Sequence, residues 1–177
     1  YFQAMFREMR DFLVASGVQK VIVACPNCHR IFCQYGEGLR VSTIYEIMDE
    51  HPLPIAEKVP GTVTVHDPCP LRFSPAVHAS VRNLIAKQGL TIEEMPHHGD
   101  RTVCCGEGGF VAALSPDLAA QWKGIRKDEA AGRRMITFAA LYGRGIDFLL
   151  QAYVGHQNLD QETLRQWIEG YVGFAPF

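Results

Sequence analysis

The sequence predicts an α/β fold, an open and mainly parallel sheet with helices on both faces, and three observations carry that expectation. Short β-branched runs alternate along the chain with stretches whose apolar residues recur at helical spacing, the pattern of repeated strand–helix units. Lys20-Val21-Ile22-Val23-Ala24 is apolar without alternation, as a strand covered on both faces of a parallel sheet must be. Cys25, Cys28, Cys69, Cys104 and Cys105 all follow predicted strands, on the carboxyl side where open parallel sheets carry their sites.

In chain order, Tyr1-Phe2-Gln3 reads as the remnant of a cleavable tag, so residues 1–4 are set apart and native sequence is expected from Met5. Met5 to Ser16 places Phe6, Met9, Phe12 and Leu13 on one helical face and stops at Gly17. The strand at Lys20 runs into Cys25-Pro26-Asn27-Cys28-His29, where Pro26 suits the first turn of a helix. A helix N-terminus favours anions, so both thiols are expected to ionise readily there. Cys33 falls on that helix and reads as core. Ser42 to Glu50 is the next predicted helix, followed by a link marked by Pro52, Pro54 and Pro60. Thr62 to His66 is a strand that delivers Asp67-Pro68-Cys69-Pro70. His78 to Gln88 reads as a helix, Leu90 to Met95 as a short strand, and Pro96 to Arg101 as a loop into the double cysteine. Ser115-Pro116-Asp117 supplies an N-cap and N1 proline for a helix to Ala131, Arg134 to Phe138 is a strand, Ile146 to Ala152 a helical piece and Asp160 to Tyr171 a last helix. The whole is a three-layer, Rossmann-like order.

Composition narrows the function. With 177 residues, 47% of them hydrophobic and 20% charged, the chain has material for one packed domain. A net charge of −2 and a pI near 6.4 give no basic footprint, so neither nucleic acid nor an anionic lipid surface is an expected partner. Apolar runs are strand-sized, which excludes direct membrane insertion. Six cysteines and no export signal fit metal ligation in the reducing cytoplasm better than a disulfide framework.

The most informative stretch is Val103-Cys104-Cys105-Gly106-Glu107-Gly108-Gly109-Phe110. Paired thiolates bind soft metals, and glycines permit the close backbone approach that surrounds an inorganic group with N–H donors. This loop is expected to be the floor of a metal site. Glu107 reads as support for a following helix turn. The sequence Gly106-Glu107-Gly108 is not a dinucleotide fingerprint. Each candidate has a plainer reading as well. Cys25 and Cys28 are also consistent with a chance buried pair or a thioredoxin-like redox pair, His66 with hydrogen-bonded scaffold, and His97 and His98 with solvated loop residues.

The chain also resembles itself. Val21-Ile22-Val23-Ala24-Cys25 aligns with Met135-Ile136-Thr137-Phe138-Ala139, and Ile44-Tyr45-Glu46-Ile47-Met48 with Ile146-Asp147-Phe148-Leu149-Leu150. The second copy is a dozen residues shorter, and the missing ones are those that should hold its CxxC. We read the gap as a disordered loop absent from these 177 residues, with a natural deletion as the alternative. His66-Asp67-Pro68-Cys69, Cys104-Cys105-Gly106-Glu107-Gly108-Gly109 and their separation resemble the cysteine-rich CCG domain of heterodisulfide reductases and related iron–sulfur oxidoreductase subunits. Residues 5–59 then look like the tail of a first repeat, carrying Cys25-Pro26-Asn27-Cys28, and residues 60–177 like a second repeat. The family's next CxxC would begin at Ala139, with Tyr142 in its second place.

The resemblance implies an electron-transfer subunit, or a fragment of one, that binds an iron–sulfur cluster of the four-iron type, a cofactor that purification can strip. Its ligands would be Cys69, Cys104 and Cys105, with Cys25 and Cys28 from the first copy and His66 as a further candidate; Gly106, Gly108 and Gly109 would shape the cradle. It implies other subunits or domains of a redox complex as partners, with peripheral attachment to the cytoplasmic membrane face through them. Two rivals stay open: a zinc-binding structural module, since three thiolates and a fourth ligand suit zinc, and a thiol–disulfide oxidoreductase using Cys25 and Cys28.

Overall fold

The computed structural model describes residues 1–51, 60–106, 108 and 110–138. Helix α1 (Phe2–Ala15) leads into strand β1 (Lys20–Val23), helix α2 (Pro26–Tyr35), strand β2 (Arg40–Thr43) and helix α3 (Ile44–Glu50). Strand β3 (Gly61–His66) is followed by a 3-10 turn (Cys69–Leu71), helix α4 (Pro75–Lys87), strand β4 (Leu90–Ile92) and a second 3-10 turn (Gly99–Arg101). Helices α5 (Val111–Leu114) and α6 (Pro116–Ala130) and strand β5 (Arg134–Thr137) complete it. The fold is α/β, as expected, and the strand pairs among the described residues are parallel.

The expected single sheet is found in two pieces, β1-β2 and β4-β3-β5. Val21 stands opposite Val41 in the first, and β3 pairs with β4 through Val63–Ile92 and with β5 through Val65–Ile136 in the second. One side chain joins their tips. The hydroxyl of Tyr45 lies 3.1 Å from the carbonyl of Ala24 after β1 and 3.2 Å from that of Phe138 after β5, so its proton serves both. The Tyr45 ring meets Phe138 edge-on at 5.0 Å.

The core lies against β3. Val63, Val65, Leu71, Val77, Val81, Leu84, Ile85, Ile44, Tyr45, Met48 and Phe138 form one buried cluster, with α3 packed on α4. Each fully buried Val, Leu or Ile contributes about 1.5–3 kcal/mol relative to exposure. Leu71, with no exposed surface, pins the turn that begins at Cys69. The core therefore fixes the position of the first thiol after β3.

Several boundaries differ from expectation, each for a local reason. Helix α1 begins at Phe2, inside the stretch set apart as a tag remnant, because Phe2 and Phe6 have aromatic partners on α2, including Phe6 on Phe32 at 5.0 Å. The expected helix Ser42 to Glu50 starts at Ile44, since Arg40–Thr43 is a strand and Thr43 is an N-cap. The Thr43 hydroxyl accepts from the Glu46 amide, and the Glu46 carboxylate accepts from the Thr43 amide at 2.7 Å, a complete capping box. Helix α4 begins at Pro75, a turn before His78, with proline at its start. The strand expected to reach Met95 ends at Ile92, where pairing with β3 stops. Ser115 precedes α6 and Pro116 opens it, but the serine side chain makes no capping bond. The predicted helices Ile146 to Ala152 and Asp160 to Tyr171, the link at Pro52 and Pro54, and Ala139 and Tyr142 lie outside the described residues.

Candidate metal centre

Each thiol group is delivered by the tip of a strand. After β1, Cys25 is the N-cap residue of α2, with extended backbone (φ −80°, ψ 126°), and Pro26 occupies the first turn. Cys28 lies in that turn, close enough to Cys25 for the two thiols to act on each other electrostatically. After β3, the chain turns at Pro68 into Cys69, and α2 packs against this turn. The Cys69 thiol has those of Cys104 and Cys105 close enough to act on it electrostatically. Cys25, Cys28, Cys105 and His66 line one cavity of about 1590 Å³ that also reaches Met135 of β5. The two thiol groups predicted from the sequence therefore open on a shared space.

The turn after Cys105 needs a glycine. Gly106 has φ +78°, and a Cβ there would lie 2.8 Å from both the Cα and the carbonyl oxygen of Ala119 on α6. Its amide donates to the Cys104 sulfur at 3.4 Å, so one backbone N–H of the loop already faces sulfur. Gly108 is exposed, with open space where a Cβ would go, while Glu107 and Gly109 lie outside the described residues.

Two arginines, the partly exposed Arg82 and the buried Arg126, hold this loop on β3. Asp67 is fully buried and accepts from both terminal nitrogens of Arg82 at 2.8 and 2.9 Å and from the Gly99 amide at 2.7 Å. Arg82 also donates to both oxygens of Glu94, at 2.7 and 2.9 Å. Burial alone would raise the Asp67 carboxyl, but the Arg82 and Gly99 donors outweigh it and hold the pKa below the ordinary carboxylate value. Thr102 donates its hydroxyl to the Asp67 carbonyl at 2.6 Å and accepts from Arg72 at its own carbonyl. Arg126, 2% exposed, donates to the His97 carbonyl and the Glu129 carboxylate at 2.7 and 2.8 Å and to Nδ1 of His66 at 2.7 Å.

Sequence reasoning misses Arg72, Arg82, Thr102 and Arg126. The available signal is His66-Asp67 at the end of a buried strand, because an ionised carboxylate there demands a cation. Which arginine answers it is set by tertiary distance and leaves no local mark. His97 contacts Glu129 and is half exposed, and His98 bonds the Met95 carbonyl at 2.6 Å, so both loop histidines serve the clamp. Cys33 is exposed rather than core, 3.5 Å from Nε2 of His29, one turn away on α2.

Thiol acidity departs from expectation. The start of α2 should lower it, yet the Cys28 thiol is pushed up to about 11, first by burial and then by the neighbouring Cys25. Cys69 is raised too, by burial and then by Cys104 and Cys105. Burial first, and then the neighbouring sulfurs, keep these thiols protonated, outweighing the helix start at Cys28 and the Arg72 charge at Cys69. Among the described residues no three His, Cys, Asp or Glu side chains already form a metal-coordinating set. The donors fit a soft metal or an iron–sulfur group in kind, and the Gly106 turn leaves room for one, with Cys25, Cys28 and Cys105 lining the cavity and Cys69 and Cys104 beside Cys105.

Comparison with known proteins agrees with this chemistry. The chain is 22% identical to the glycolate oxidase iron-sulfur subunit of Escherichia coli, over 88% of this chain and 40% of that protein. It is 29% identical to a dihydromethanophenazine:CoB–CoM heterodisulfide reductase subunit of Methanosarcina mazei, over 62% of this chain and 30% of that one. It is 32% identical to a fumarate reductase (CoM/CoB) subunit of Methanothermobacter marburgensis, over 62% of this chain and 23% of that one. The chain thus spans well under half the length of each of these relatives. No solved structure matches it significantly. The family model described as a cysteine-rich domain, CCG, matches residues 63–136, from the middle of β3 into β5, and takes in Cys69, Cys104 and Cys105. Residues 63–136 thus match the cysteine-rich CCG domain that the sequence motifs resemble.

Proposed function

We propose that this chain is the cysteine-rich part of an electron-transfer subunit of an oxidoreductase. Cys69, Cys104 and Cys105, with Cys25 and Cys28, which line one cavity together with Cys105, would hold an iron–sulfur cofactor of the four-iron type. The observation that carries the reading is the meeting of the Cys69 and Cys104 thiols beside Cys105, although Cys69 is remote in sequence from the other two. When bound, the cluster supplies reversible one-electron transfer at a potential set by its surroundings. The protein's part is to gather sulfur at strand tips, to aim the Gly106 amide at it, and to hold the Cys104-Cys105 loop through Asp67, Thr102, Arg82 and Arg126.

The raised Cys28 and Cys69 thiols are compatible with a cation-binding role, because a bound metal would favour the thiolate form of both. Partners would be other subunits or domains of a redox complex, in which oxidation of a hydroxy acid or reduction of a disulfide belongs to the assembly. No helix among the described residues is long and apolar enough to cross a membrane. A cytoplasmic place, with peripheral attachment through partners, fits that reading.

Anaerobic reconstitution with ferrous iron and sulfide, followed by metal and acid-labile sulfide analysis, tests it. The expected product is coloured, contains iron and sulfide together, and loses both in Cys69→Ala. A colourless chain that excludes iron and retains about one zinc would replace the redox reading with the structural module.

A further inference from the structure

The guanidinium of Arg126 decides where the proton of His66 resides. Nη2 and Nε of Arg126 lie 2.7 and 3.1 Å from Nδ1 of His66. A guanidinium has donors and no acceptor, so Nδ1 must present its lone pair and the neutral ring carries its hydrogen on Nε2. Arg126 cannot easily turn away. The His97 carbonyl, the Glu129 carboxylate and, at 3.4 Å, the Thr102 hydroxyl fix the other edges of the same buried cation. His66 in turn lines the cavity onto which Cys25, Cys28 and Cys105 open.

We propose that His66 serves the thiol site as a fixed Nε2–H donor directed at sulfur, a positioning residue and not a metal ligand. A histidine that ligates metal through one nitrogen donates its other N–H to a carboxylate or carbonyl. Here the partner of the second nitrogen is itself a donor, the reverse of that arrangement. Ligation through Nε2 would require either an imidazolate or a proton on Nδ1 pointing into the guanidinium. Burial and the Arg126 charge also keep the ring neutral at ordinary pH, with a pKa of about 4. An N–H directed at sulfur stabilises the added negative charge of a reduced cofactor, so the His66–Arg126 pair would raise the reduction potential. This role rests on the proposed function in taking the cavity's thiols as cofactor ligands.

The test reads the tautomer by long-range proton–nitrogen NMR on the metal-free chain with labelled histidine nitrogens, His66 being assigned by the signals lost in His66→Gln. The expected pattern is a protonated, pyrrole-like Nε2 and a bare, pyridine-like Nδ1. That pattern should persist when NMR-active cadmium is added as a thiol-seeking probe, with no cadmium–nitrogen coupling at His66. Arg126→Lys, which keeps the charge and loses the fork, should populate both tautomers. A proton on Nδ1 in the metal-free chain, an imidazolium at neutral pH, or coupling between cadmium and His66 would overturn the proposal. The wild-type spectra decide even where the arginine variant does not fold. Failure to take up iron while the Nε2–H tautomer stands would count against the cofactor and leave the proton assignment intact.

Discussion

His66, Asp67 and Gly106 carry the sharpest consequences at the scale of single residues. An unfolded histidine takes a proton near pH 6.5, whereas folded His66 does so only near pH 4. Between those values the unfolded chain binds more protons, so stability falls as pH falls, by about 3 kcal/mol if His66 acts alone. His78 and His29, also lowered by burial, act in the same direction. Urea unfolding at neutral pH and near pH 4 should show that loss, and His66→Gln should flatten it; an unchanged slope in the variant would remove His66 as its source. The depressed Asp67 carboxyl acts in a lower window, its contribution being lost only as pH falls below the usual carboxylate range. Arg82→Ala leaves Asp67 ionised and buried without its cation and should cost about 3–5 kcal/mol, read as a fall in the denaturation midpoint. Gly106→Ala forces a Cβ against the α6 backbone at a left-handed φ and should cost at least about 1–3 kcal/mol, with the Cys104 and Cys105 thiols becoming more reactive as the turn gives way.

The element scale shows what is readable in advance and what is not. β1, β3 and β5 announce themselves as β-branched runs, and the cysteines after β1 and β3 mark their tips. β2 does not, because Arg40-Val41-Ser42-Thr43 is short and polar and becomes a strand only beside β1. Its end is nonetheless written in the chain as Thr43-x-x-Glu46, the pattern of a capping box. Thr43→Ala should therefore destabilise the fold by about 1 kcal/mol, with a matching loss in thermal unfolding. Tyr45 is legible as a core residue but not as the hydroxyl that bridges the two sheet tips. Tyr45→Phe keeps the ring contact and loses the bridge, so a cost of about 1–2 kcal/mol is expected. A smaller change would mean that water takes over both carbonyls.

For the whole molecule, the fold class and the sulfur positions follow from periodicity and punctuation, which are local properties. What escapes is the clamp that makes the site rigid. Arg82 and Arg126 lie on helices, where arginine is ordinary, and only three-dimensional packing brings them to Asp67 and His66. Thiol acidity escapes for a similar reason: position at a helix start argues for ionisation, while burial, a tertiary fact, and then the neighbouring sulfurs reverse it. The central claim is that sulfurs remote along the chain converge at one rim to hold an inorganic cofactor. Mild oxidation followed by peptide mapping, with and without prior iron and sulfide loading, tests it most directly. The unloaded chain should yield disulfides linking Cys69 to Cys104 or Cys105 and Cys25 to Cys28, and loading should suppress both. Cys69 left unlinked to either of the paired cysteines, or links that form equally well after loading, would contradict it.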